Sequence, residues 1–161
     1  MDSVNKYCIG VAGALLTKVL VAVDGSESAN KALDFALDLA EKYSASLLIL
    51  NVLELPVYGN PGEPSAVSAN LAGLVKDLRK VHEGVLSKAL ERATTVKPSV
   101  QVTTELREGD PKSQIVAVAD EGGFDAVVLG HGSEGRLKEL FLGGTSERVA
   151  HLARCIVMIV K

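Results

Sequence analysis

Residues 18–33 read KVLVAVDGSESANKAL, and this stretch decides the fold. Lys18 to Val23 is a short β-branched apolar run without polar alternation, the signature of a strand covered on both faces. It stops at Asp24-Gly25-Ser26, residue types that suit a tight turn and a helix start. Ser26 or Ser28 then caps a helix in which Ala29, Leu33, Ala36, Leu37 and Ala40 recur at helical spacing to about Lys42. A fully buried strand feeding directly into an amphipathic helix is the opening half of a βαβ unit.

The pattern repeats outward from there. Ser46 to Leu53 (SLLILNVL) is a second continuous apolar run and a second interior strand. Leu55 to Ser68 carries Pro56, Gly59, Pro61, Gly62 and Pro64 and reads as a loop, longer than most connections. From Ala69 to Thr94 a long helical pattern places Leu71, Leu74, Val75, Leu78, Val81, Val85, Leu86, Ala89 and Leu90 on one apolar side. Lys97-Pro98 ends it, and Val100 to Leu106 alternates as a third, less buried strand. Asp110 caps a helix that has Pro111 in its first position, runs through Ile115, Val116 and Ala119, and stops at Gly122-Gly123. Asp125 to Leu129 is a fourth strand. A glycine-rich loop follows, then a helix from Ser146 to Ala153 and a fifth strand from Cys155 to Val160. The order βαβαβαβαβ specifies an α/β fold with one doubly wound parallel sheet. It is read as a single domain over residues 17–161, with residues 1–16 as an N-terminal extension.

Composition narrows the function. With 17 Lys and Arg against 20 Asp and Glu, the net charge of -3 has the wrong sign for a nucleic-acid groove. The chain has no Trp, and aromatics make up 4%, which disfavours a base-stacking platform. Two cysteines, Cys8 and Cys155, form neither a disulfide framework nor a metal knuckle and fit a reducing, cytoplasmic setting. The apolar run YCIGVAGALL at Tyr7 to Leu16 is read as part of the extension. Thr17-Lys18 interrupt it before it would span a bilayer, so no membrane partner is expected.

The chemistry-bearing segment is GHGSEGRLKELFLGG at Gly130 to Gly144, between the fourth strand and the last helix. Glycines there free backbone amides, and the helix start adds partial positive charge, a combination that binds phosphate. Gly130-His131-Gly132-Ser133-Glu134-Gly135 satisfies G-x-G-x-x-G, but it follows the fourth strand and not the first, the wrong context for a dinucleotide fingerprint. No Gly precedes Lys-Ser or Lys-Thr, so a P-loop is excluded. His131 serves the loop or contacts phosphate, and Lys138 meets phosphate or solvent. Asp24, at the end of the first strand, either accepts from a ribose hydroxyl or an adenine amine, or helps cap the helix. Asp110 is a cap. His82 and His151 are read as surface residues without metal-ligand spacing, and Glu147 and Arg148 as a solvated helix start. No nucleophile–base set, carboxylate pair or metal cluster can be assigned.

Four segments carry a resemblance: KVLVAVDGSESANKAL at 18–33, the strand ending in Asn51-Val52, REGDP at 107–111, and VVLGHGSEGRLKELFLGGTSERV at 127–149. From Thr17 to Lys161 the chain resembles the universal stress proteins. The resemblance implies a five-stranded parallel sheet of order 3-2-1-4-5, of the adenine nucleotide alpha hydrolase-like kind, dimerisation, and in one branch an ATP site. That branch carries the pattern G-x2-G-x9-G-[ST]. Here Gly130 and Gly143 match its first and third glycines, while Ser133 and Gly144 replace a glycine and a hydroxyl residue. A second register, Gly132, Gly135, Gly144 and Thr145, has the right residue types, but its long gap holds eight residues instead of nine.

The expected nucleotide site therefore comprises Ala22, Val23, Asp24, Val52, Gly130, His131, Gly132, Ser133, Gly143, Gly144, Thr145 and Ser146, with Val52 at the family position that meets adenine. The expectation is an adenine-nucleotide-binding (ATP or AMP) homodimer with a regulatory or protective role in stress, paired through the strand Cys155 to Val160, with Mg2+ not assignable to residues. The alternatives are a member that has lost nucleotide binding and works through protein contacts, and a slow phosphohydrolase.

Overall fold

The computed structural model describes residues 16–55, 66–132 and 143–161, with the side chains of 66–71 excepted. Its elements are β1 (Lys18–Ala22), α1 (Glu27–Tyr43), β2 (Ser46–Leu53), α2 (Ala66–Val96), β3 (Val102–Glu108), α3 (Pro111–Gly122), β4 (Ala126–Gly130), α4 (Gly144–Leu152) and β5 (Ile156–Val160). The five strands form one parallel sheet of order β3-β2-β1-β4-β5, as expected.

The apolar runs explain the layering. Val19 and Val21 pack with Leu33, Leu37, Ile49, Leu86 and Ala93 on the α1/α2 side, while Leu20 and Leu50 pack with Ile115, Val118 and Val149 on the α3/α4 side. A strand whose successive residues enter opposite cores has no polar face. Ser26 caps α1 by accepting from the Ala29 amide at 3.1 Å, and Asp110 caps α3 by accepting from the Ser113 amide at 3.0 Å. Gly123, at φ +61°, closes α3 in the left-handed conformation that glycine tolerates.

Some boundaries move. β5 begins at Ile156 and not Cys155, and α4 begins at Gly144, two residues before Ser146, because glycines have low helix propensity but are admitted at a helix start. β3 runs two residues later than expected at both ends, held by pairing with β2 as far as Leu53–Glu108.

A larger correction concerns α2. Leu74 and Val81 are exposed, Val81 at 63%, while Leu86, Ala89 and Ala93 are buried. The 31-residue helix is about 46 Å long, against about 27 Å for the eight residues of β2. Since α2 runs from the carboxyl end of β2 back to the amino end of β3, its N-terminal half overhangs the carboxyl ends of the strands. Periodicity marks a face, but not how far the sheet beneath it extends. Among the described residues no helix is long and apolar enough to cross a membrane.

Candidate functional site

The strand order reverses between β1 and β4, and open α/β sheets bind ligands beyond the carboxyl ends of the strands at such a point. Two chain exits meet there. The first is the turn after β1. Asp24 Oδ1 accepts from the Ser26 amide at 2.9 Å, and Gly25 takes φ +86°. Asp24 is exposed. It therefore shapes the turn, while Ser26 supplies the helix cap.

Ala22 ends β1, half-buried against the α3/α4 core. Val23 lies beyond the strand, yet β2 still holds both its backbone groups. Its amide donates to the Leu50 carbonyl at 2.9 Å, and its carbonyl accepts from Asn51 Nδ2 at 2.6 Å. Val52 is half-buried and packs against the same core as Ala22.

The second exit follows β4. A Cβ on Gly130 would stand 2.7 Å from both the carbonyl carbon and oxygen of Ser28, and 2.9 Å from the Ala29 nitrogen. Gly130 thus lets β4 abut the first turn of α1. The His131 amide donates to the Val160 carbonyl at 2.8 Å, and its own carbonyl accepts from the Gly143 amide at 3.1 Å. Gly132 takes φ +100°, and a Cβ there would lie 3.2 Å from Gly143 Cα. The two ends of the glycine-rich loop are therefore pinned together. Ser133 and Lys138 lie outside the described residues.

α4 starts at this junction. Gly143 is its N-cap, without a side-chain cap bond, so the first-turn amides lack the partner that Ser26 or Asp110 provides elsewhere. Nothing lies within 4 Å of a Cβ added at Gly144. Ser146 is buried, and its hydroxyl donates to the Gly130 carbonyl at 2.8 Å, so that proton is not free for a phosphate. Thr145 is half-buried. Glu147 and Arg148 are exposed, as is His151. The close approach of Gly130 to Ser28 brings the two exits side by side, one carrying the exposed Asp24 carboxylate and the other leading through Gly132 to the uncapped start of α4 at Gly144 and Thr145. Such a start favours an anion.

His82 departs from its surface reading. It is half-buried, and its Nδ1 lies 2.5 Å from Oδ1 of Asn51, which is only 2% exposed. Neither the surface reading of His82 nor the place of Asn51 in its strand implies this pairing. The available signal was the amide inside SLLILNVL, since a polar side chain in an interior strand requires partners.

Among the described residues, a cavity of about 490 Å³ lies elsewhere, lined by Lys18, Ser46, Arg107, Glu121 and Phe124 among others. It sits toward the amino ends of β1 and β2 beneath the end of α3. Lys18 there donates to the Gly122 carbonyl at 3.0 Å, and Arg107 pairs with Glu105 and Glu121. We place the candidate site at the carboxyl ends because the amides and glycines converge there. Among the described residues no group of three or more His, Cys, Asp or Glu could hold a metal ion.

The model of the Universal stress protein family matches residues 16–161. Universal stress protein YxiE of Bacillus subtilis is 32% identical over 158 residues, covering 91% of this chain and all of that protein. The structure of universal stress protein UspA from Lactobacillus plantarum superposes with a TM-score of 0.80 at 26% identity, covering 92% of this chain and 99% of the other. The universal stress protein of Archaeoglobus fulgidus in complex with dAMP superposes with a TM-score of 0.61 at 21% identity, covering 91% of this chain and 99% of the other. At that identity the likeness shows a shared fold.

Proposed function

This chain belongs to the universal stress protein family, and on that premise we propose that it is an adenine-nucleotide-binding module, taking ATP or AMP, with a regulatory or protective role in stress. The observation that carries the reading is the uncapped start of α4, set against the glycine-flanked exit of β4 at the reversal of strand order. Backbone amides of residues 144–146 and the Thr145 hydroxyl take the phosphates, and Asp24 takes a ribose hydroxyl. The dAMP complex of the Archaeoglobus relative supports the choice of an adenine nucleotide. Mg2+, if it accompanies ATP, is held by the phosphates, since the described residues offer no cluster for it.

The reading extends to a cytoplasmic homodimer. Among the described residues β5 is an edge strand of the sheet, and Ile156 on it is 50% exposed. Residues 1–16 are an extension outside the nucleotide module.

Mass analysis of small molecules released from the purified, denatured protein, followed by calorimetric titration with ATP and AMP, tests the proposal. Bound adenine nucleotide or a saturable titration supports it. Absence of both overturns it. One observation favours a second reading, a member that acts through protein contacts. With Ser146 committed to Gly130 and Gly144 lacking a hydroxyl, Thr145 alone in this turn offers one to phosphate.

A further inference from the structure

The register of the sheet brings two distant parts of the chain to one level. Val19 pairs with Ala126, and Ala126 with Ile156, so Lys18, Asp125 and Cys155 stand side by side at the amino ends of β1, β4 and β5. Asp125 joins the two flanking strands. Its amide donates to the Lys18 carbonyl at 2.9 Å, its carboxylate accepts from the Thr17 and Lys18 amides, and its carbonyl accepts from the Ile156 amide at 3.1 Å. The chain preceding Thr17 therefore meets the sheet about two strand spacings, or about 10 Å, from Cys155.

The protein has two cysteines, and the other one lies in that preceding segment, nine residues before Thr17. Nine residues reach about 31 Å when extended and about 14 Å when helical, so either conformation covers the gap between Thr17 and Cys155. Such a tether holds the two thiols at an effective concentration in the millimolar range, about a thousandfold above that of a second copy at micromolar protein. Cys155 is half-buried beside the α3/α4 core, and burial is the main cause that holds its thiol above the ordinary cysteine pKa. A thiol kept protonated is a slow first target for an oxidant.

We propose that Cys8 and Cys155 form a reversible intramolecular disulfide, a redox clasp that ties the N-terminal segment to the start of β5. The inference stands apart from the nucleotide-binding reading. Hydrogen peroxide is the oxidant. The Cys8 thiolate attacks one peroxide oxygen, the O–O bond breaks, and hydroxide leaves, taking up the proton that the thiol had released. Cys8 is then a sulfenic acid. The Cys155 sulfur attacks Cys8 Sγ, the S–S bond forms as the S–O bond breaks, and the hydroxyl departs with the Cys155 proton as a second water. Each sulfur is oxidised by one electron, and peroxide takes up both. In a reducing compartment thiol exchange reopens the clasp, so it closes only under oxidation.

The test treats the full-length protein, at micromolar concentration and neutral pH, with hydrogen peroxide. Remaining thiols are then alkylated in denaturant, and the peptides are mapped by mass. The expected result is loss of both thiols within one chain, a linked pair of peptides carrying Cys8 and Cys155, and recovery of both thiols in dithiothreitol. The rate should not change when the protein is diluted about tenfold, as an intramolecular step requires. Cys8→Ser should lose the link and keep Cys155 reduced over the time in which the wild type is fully linked. Four results would overturn the inference: both thiols still open to alkylation, oxidation to sulfinic acid without a linked peptide, a link that runs as two chains on a non-reducing gel, or a rate that falls with dilution. Rapid oxidation of Cys155 in Cys8→Ser would overturn the order of the two steps.

Discussion

The Ser146 hydroxyl donates to the carbonyl oxygen of Gly130 at 2.8 Å, and so the start of α4 is bolted to the end of β4. The bond is made by a buried side chain at the reversal of strand order, where Gly130 also abuts Ser28. The junction is thus a packing feature before it is a binding feature. Ser146→Ala should cost about 1 to 2 kcal/mol, since it leaves the Gly130 carbonyl without that donor. Gly130→Ala should cost about 1 to 3 kcal/mol, because its Cβ would collide with main chain that cannot rotate away. Thermal melts of both variants measure this. A Gly130→Ala protein as stable as the wild type would show that the close approach to α1 is not retained.

A second anchor lies at the other end of the sheet. The Asp125 carboxylate accepts from the Thr17 amide at 2.7 Å, the Thr17 hydroxyl at 2.9 Å and the Lys18 amide at 2.9 Å. The backbone amides are the main cause that holds its pKa below the usual carboxylate range. A pKa depressed by folding contributes stability above the unfolded pKa and loses it as pH falls through the folded one. Asp125→Asn should therefore be less stable by about 1 kcal/mol at neutral pH. The gap to the wild type should close as both are acidified through that window, as denaturant melts across pH will show.

How far the sequence could be read depended on what each signal encodes. KVLVAV and SLLILNVL made the interior strands legible because a strand buried on both faces has only apolar residues to offer. Asp110-Pro111 and Gly123 marked α3 because capping and φ > 0 restrict residue type locally. Val81 was misplaced because burial depends on how far the sheet extends under α2, a tertiary length that periodicity does not carry. Gly130 read as a phosphate glycine because its close contact, Ser28, is a hundred residues away in sequence. His82 looked like a surface residue for the same reason, since Asn51 belongs to another element.

The same anchor bears on the extension. Because the family model matches from residue 16 onward, a protein lacking residues 1–15 should fold with a melting temperature within a few degrees of the full chain. A large fall would make the segment YCIGVAGALL structural. Circular dichroism melts of the two proteins decide it.

Assembly through β5 makes a separate expectation. Ile156 is half exposed on the edge strand, so a charge there is tolerated by the monomer but not by a strand pair about a two-fold axis. Ile156→Lys should melt close to the wild type yet sediment as a monomer at micromolar concentration, where the proposed pairing makes the wild type sediment as a dimer. A monomeric wild type, or an unchanged dimer in the variant, would refute pairing through this edge.

The nucleotide site is best probed where a side chain fits. Gly143→Val is a poor choice, since a Cβ there already stands 3.1 Å from the His131 carbonyl oxygen and would disturb the fold along with any ligand. Gly144 has open space around it and begins α4 beside the uncapped amides. Gly144→Ser supplies the hydroxyl that the family's ATP-binding pattern carries at this position and removes a glycine from a helix, so stability should hold or rise slightly. One added charge-assisted donor to phosphate is worth about 1.5 to 3 kcal/mol, which tightens ATP by roughly tenfold or more. The same variant should leave adenosine, which has no phosphate, unchanged. Calorimetric titration of wild type and Gly144→Ser with ATP and adenosine separates the outcomes. Equal tightening for both ligands would mean that the serine acts through the fold, and no tightening for ATP would place the phosphates away from the start of α4.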